Sequence, residues 1–204
     1  MISTDAAAAG VPVPVLLSAR PDPELWSLVP VAEEADRWLR GLIETHGRGD
    51  EQRIVDAGIL ALRTQVETDA ALVFLLHDDR AAIVASLSLF AYADVPAPTD
   101  AADALCVAEA LTLTPWQGEA IDVALGDHRG WRITVLESAD GASTSGGQAP
   151  NPTVFIADFV STLYFLDVAG GLVMAVLSPL RPEAAFVAQR AAEQVLATLE
   201  VSPA

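Results

Sequence analysis

Acid–base or metal chemistry in this chain would fall to three histidines, His46, His77 and His128. Each sits beside glycine or an acid in a segment that reads as a turn. Asp78, Asp79 and Arg80 follow His77, and Asp127 precedes His128. Imidazole nitrogens and carboxylate oxygens can ligate a metal or form a base with its orienting partner, provided that separate turns bring them to one point. Both segments form the tips of expected hairpins, and two tips can share one end of a sheet. His77, Asp78 and His128 are therefore the polar members of a candidate ligand site. The plainer reading is that polar residues favour turns for the backbone bonds they make there.

The other reactive types give less. Cys106 lies among Leu105, Val107 and Ala108 in a helical stretch and reads as a buried thiol with no adjacent base. The Gly141–Gly147 run lacks the G-x-S-x-G spacing of a nucleophile elbow, and no lysine follows to make it a phosphate loop. Asp158, Asp122 and Glu119 could form a carboxylate pair, although solvated strand ends, or pairing with Arg129 or Arg132, explain them as well. Trp116 and Trp131, with Phe159, Tyr164 and Phe165, are the aromatics that would line an apolar pocket or an interface, against the commoner role of filling the core.

Composition narrows the function further. All 11 basic residues are arginine, so Schiff-base, pyridoxal-phosphate and P-loop lysines are excluded. The alanine excess, the missing lysine and the single asparagine, Asn151, match the coding bias of a high-GC, actinobacterial genome. The net charge of −17 opposes binding to nucleic acid or an anionic membrane, because both draw affinity from basic side chains. One cysteine allows no internal disulfide. The first residues carry an acid before Ala6–Ala9, unlike a secretory leader, and the longest apolar runs fall short of a membrane span. The expected location is cytoplasmic, and no cofactor is expected.

These side chains need elements to hold them. Residues 1–20 read as a flexible segment with an edge strand at Val11–Leu17, and residues 21–204 as a single domain. Val31–Thr45 has helical apolar spacing through Val31, Ala35, Trp38, Leu39, Leu42 and Ile43. A second helix follows from Glu51 to about Glu67 on a stripe of Ile54, Val55, Ile59, Leu62 and Val66, with Gly58 as a weakness. Leu72–Leu76 and Ile83–Tyr92 read as a hairpin. Thr99 or Asp100 caps a short helix ending at Leu111. Glu119–Leu125 and Trp131–Glu137 form a second hairpin, and residues 139–153 a mobile loop. Val154–Val168 and Leu172–Leu180 form the longest hairpin, apolar on both faces and thus covered on both. Pro182 opens a final helix to about Glu200, with Val187, Ala191, Val195 and Leu199 facing inward.

With no βαβ rhythm, the expected fold is α+β: a central, mostly antiparallel sheet of about six strands packed by two to three helices as an α/β/α sandwich. The stretch Ser161–Leu177, followed by a helix containing Phe186-Val187 and by Leu199-Glu200-Val201, resembles the end of PsbP-like α/β/α sandwich domains. That resemblance covers roughly the C-terminal two-thirds and implies a non-enzymatic scaffold that binds protein partners. The acidic surface and apolar strands lead to the same expectation, a protein-interaction or assembly module, either homodimeric or with its sheet covered by its own helices. The competing expectation is a small-molecule-binding protein or hydrolase with a pocket near Trp116 and Trp131, using His77, Asp78 or His128.

Overall fold

The computed structural model describes residues 15–47, 51–111, 117–137 and 158–203. It forms an α+β, three-layer sandwich. The elements in chain order are β1 (Val15–Ser18), β2 (Trp26–Leu28), a 3-10 turn (Ala32–Glu34), α1 (Ala35–His46), α2 (Glu51–Glu67), β3 (Leu72–Asp78), β4 (Ile83–Tyr92) and α3 (Ala101–Leu111). They continue with β5 (Gln117–Leu125), β6 (His128–Glu137), β7 (Phe159–Val168), β8 (Gly171–Leu180), α4 (Pro182–Leu196) and β9 (Glu200–Pro203).

The seven central strands run in the order β2-β3-β4-β8-β7-β6-β5, every neighbouring pair antiparallel. The three expected hairpins are present as β3–β4, β5–β6 and β7–β8. The sheet exceeds the expected six strands because of β2, three residues too short to leave a period-two signal. β1 is not an edge of this sheet. It pairs with β9 in a separate two-stranded ribbon, Leu17 opposite Val201.

Strand alternation divides the core in two. On one face Phe74, Leu76, Leu87, Tyr164, Leu166, Ala175 and Leu177 pack beneath α4 and the β1–β9 ribbon. On the other, Val73 and Leu75 lie under α1 and α2, while Ile133, Val135, Leu163 and Phe165 lie under α3. The two-faced apolar strands are thus covered by this chain's own helices, four where two or three were expected.

The helices turn their small residues inward. α4 buries Ala185, Ala188, Ala191 and Ala192 with Val195 and Leu196, while Val187 is 39% exposed, against the inward orientation expected of it. α2 buries Ile54, Gly58 and Ala61, and leaves Ile59 and Val66 exposed. Gly58 faces α1: a Cβ there would stand 2.7 Å from Leu39 Cδ1, the end of a side chain that would have to turn aside. Small side chains let helix and sheet backbones approach closely, so position in the packing overrides hydropathy. Asp100 caps α3 as expected, its Oδ1 accepting from Asp103 N at 2.9 Å. Cys106 is exposed rather than buried, since α3 presents Ala104 and Ala108 to the sheet and Cys106 lies midway between them on the outer side. The expected mobile loop, residues 139–153, lies outside the described residues. No helix among the described residues is long and apolar enough to cross a membrane.

Candidate functional site

The antiparallel order separates the two histidine tips. The β3–β4 turn lies at one end of the sheet, and the β5–β6 turn, with four strand reversals between them, lies at the other. His77 and Asp78 therefore cannot share a site with His128. Instead His128 Nε2 meets Leu199 O at 2.9 Å, fastening the β5–β6 hairpin to the segment after α4. Asp78 is used in its own turn, where Oδ1 accepts from Arg80 N at 2.9 Å and Ala81 N at 3.0 Å. Trp131 is half-buried, donates from its indole to Pro98 O at 3.2 Å, and packs with the cluster under α3. Trp116 lies outside the described residues. Tyr164 and Phe165 are fully buried in the core, while Phe159 is 42% exposed.

His77 finds different company. As an odd-numbered residue of β3 it follows Val73 and Leu75 onto the face beneath α1. Ser27, the middle residue of β2, faces the same way, because Trp26 and Phe74 are packed on the opposite face. His46 is the last residue of α1, whose C-terminal turn ends above the β2–β3 edge. The imidazoles of His46 and His77 stack with centroids 3.9 Å apart and planes tilted by 32°. His46 Nδ1 meets Asp79 Oδ2 at 3.0 Å, and His77 Nε2 meets Ser27 Oγ at 3.0 Å. The β3–β4 tip supplies Asp79, and not the expected Asp78, to this cluster.

A groove of about 570 Å3 opens here between α1 and the segment carrying β2. Its apolar walls are Pro23, Leu28, Pro30, Trp38 and Leu42, and its polar groups include Ser27, Arg37, Thr45, His46 and His77. Two buried nitrogens of its lining residues, Trp38 Nε1 and His77 Nδ1, make no hydrogen bond. A buried polar atom without a partner costs free energy, so such atoms are rare and each calls for an explanation, a functional role among them.

His77 is only 4% exposed. Burial holds its pKa below the ordinary 6.5, and the neighbouring His46 adds to the effect; its own backbone carbonyl, Asp79 and Asp78 pull the other way. The ring is thus a neutral imidazole at pH 7. The roles of its two nitrogens follow the tautomer: with the proton on Nδ1, Nε2 is an acceptor. That tautomer leaves Nε2 bare to accept from the Ser27 hydroxyl.

A second polar group lies on the other face. Arg132 Nη1 bonds Glu193 Oε1 at 2.7 Å, with side chains 22% and 12% exposed. Gln189 Nε2 donates to Thr162 Oγ1 at 2.9 Å. The Tyr164 hydroxyl beneath them has its pKa raised by burial and by Glu193. This group pins α4 to β6 and β7. It takes Arg132 away from the carboxylates Asp122 and Glu119. Among the described residues no set of three or more His, Cys, Asp or Glu is arranged to hold a metal ion.

No family model, curated protein or solved structure matches the chain.

Proposed function

We propose that this protein binds a small molecule in the groove between α1 and β2. The observation that carries the reading is His77: a nearly inaccessible imidazole in the groove lining, one nitrogen on Ser27 and the other without a partner. The unpartnered Trp38 indole supports it. Ligand sites characteristically combine apolar walls with a few convergent polar groups, and this groove has both. The ligand places an apolar body against Leu28, Pro30 and Trp38 and a hydrogen-bonding head toward Ser27 and His77. This is the small-molecule expectation of the sequence, placed at Trp38 in place of Trp116 and Trp131. The scaffold expectation keeps its acidic surface, while the apolar sheet faces that were its second argument are covered by this chain's own helices.

The test is a panel of small esters, amides and carboxylic acids, screened by thermal unfolding and followed by side-chain NMR of histidine and tryptophan. Binders should raise the melting temperature and shift the His77 and Trp38 signals, and Trp38→Phe should weaken them. A panel that moves neither signal sinks the proposal.

A further inference from the structure

We infer that Ser27 is the nucleophile of an acyl-transfer site in this groove, with His77 as its general base and small carboxylic esters as its substrates. The inference rests on the binding reading above and adds a reaction to it.

Geometry comes first. A serine becomes a useful nucleophile when a base lies within hydrogen-bond reach, and Ser27 Oγ is 3.0 Å from His77 Nε2. Ser27 is half-buried and lines the groove, so a seated ligand can approach its oxygen. In the tautomer of the neutral ring that carries its proton on Nδ1, Nε2 faces Ser27 as the acceptor of its proton. Once that proton arrives, the imidazolium is favoured by Asp79 and Asp78, whose charges act on the ring, and opposed by His46. Asp79 is itself bonded to His46, so the two histidines and the aspartate form one coupled group behind the serine. Arg37, in the same lining, carries a guanidinium that can donate to a developing oxyanion.

The reaction balances without a cofactor. Ser27 Oγ attacks the ester carbonyl carbon while its proton passes to His77 Nε2. The carbonyl–alkoxy bond then breaks, and His77 returns the proton to the departing alcohol, leaving acyl-Ser27. Water repeats the sequence, its proton passing through His77 to Ser27, and releases the carboxylic acid.

The chain suits a direct test, because it has no lysine to take up acyl groups non-specifically. The one exposed thiol is removed with Cys106→Ala. That protein is treated with p-nitrophenyl acetate, and the acetylated residue is mapped by peptide mass spectrometry. Separately, phenyl acetate is titrated while the His77 and Trp38 NMR signals are followed. The expected result is acetyl on Ser27, slowed roughly 100-fold by His77→Gln, the usual size of a general-base contribution. Its rate should hold level above pH 6.5 and fall below it as His77 takes a proton. Mapping on unaltered Ser27 requires no change within the site, and Ser27→Cys should restore acylation that Ser27→Ala removes. Acetyl groups found only elsewhere, or a Ser27 rate indifferent to His77→Gln, overturn the inference. Signals that shift without acylation overturn it alone and leave the binding site standing. If neither shift nor acylation occurs, both readings fall.

Discussion

Lowering the pH should loosen this protein through a single proton on His77. The folded ring has its pKa below 6.5 because it is buried and stacked on His46, whereas in the unfolded chain it titrates near the ordinary value. Between those two values the unfolded state holds a proton that the folded state refuses, so stability rises with pH across the window and falls as pH drops below 6.5. One proton corresponds to at most about 1.4 kcal/mol per pH unit. Because the unfolded ring is only half protonated at 6.5, the loss from pH 6.5 to 5 is at most about 1.6 kcal/mol, or about 3–6 °C in melting temperature for a chain of this size. The groups facing the ring set the limits: His46 widens the window, while Asp79 and Asp78 narrow it. The assay is urea unfolding followed by tryptophan fluorescence between pH 5 and 8, on the wild type and on His77→Gln, which keeps an acceptor for the Ser27 hydroxyl but cannot titrate. Subtracting the two cancels the carboxylates common to both. The difference should be flat above pH 7 and slope below 6.5, and His46→Ala should make the slope shallower. Parallel curves for wild type and His77→Gln would refute the assignment of a buried neutral ring.

Two further sets of substitutions probe the scaffold. Glu193→Leu strands a largely buried Arg132 and should cost roughly 3 kcal/mol, while Arg132→Met combined with Glu193→Leu should recover much of it; equal losses in the single and double variants would count against the pair. Gly130→Ala in β6 drives a Cβ into the Phe165 carbonyl of β7, where backbone cannot yield, and should cost roughly 3 kcal/mol or prevent folding. Gly41→Ala meets nothing within 4 Å and should gain about 0.5–1 kcal/mol by stiffening α1, as read from calorimetric melting.

Much of the architecture was legible because it depends on periods. The hairpins announced themselves by alternation or by continuous apolar runs, and α3 by the spacing of Asp100 from the residues it caps. The inward faces of α2 and α4 were not legible by the same means. In an alanine-rich chain the closest packing uses Ala188, Ala192, Ala61 and Gly58, which a hydropathy stripe ranks below Val187, Ile59 and Val66. The site was half legible. His77 stood out by type, but Ser27 lies in a strand of three residues, and His46 came from a helix end about thirty positions earlier in the chain. The neighbourhood of His77 depends on strand order, which separated it from His128 and set it beside β2. A serine facing the helix layer from a strand flanked by prolines was the available signal, and it points to the cluster only once β2 is known to pair with β3.

The strand order also bears on how the chain can be assembled. β4 has β3 beside it from the start, but its other neighbour, β8, comes some eighty residues later. During synthesis from the N-terminus, the β3–β4 hairpin and its two covering helices therefore carry an apolar, unpaired edge until β8 has emerged. The β1–β9 ribbon, which needs the last strand of all, can form only afterwards. Folding that waits on such distant partners is slow and leaves edges open to the wrong strand. A chaperone that shields the open edge of β4 should raise the yield of folded protein more than one that acts on the finished sandwich.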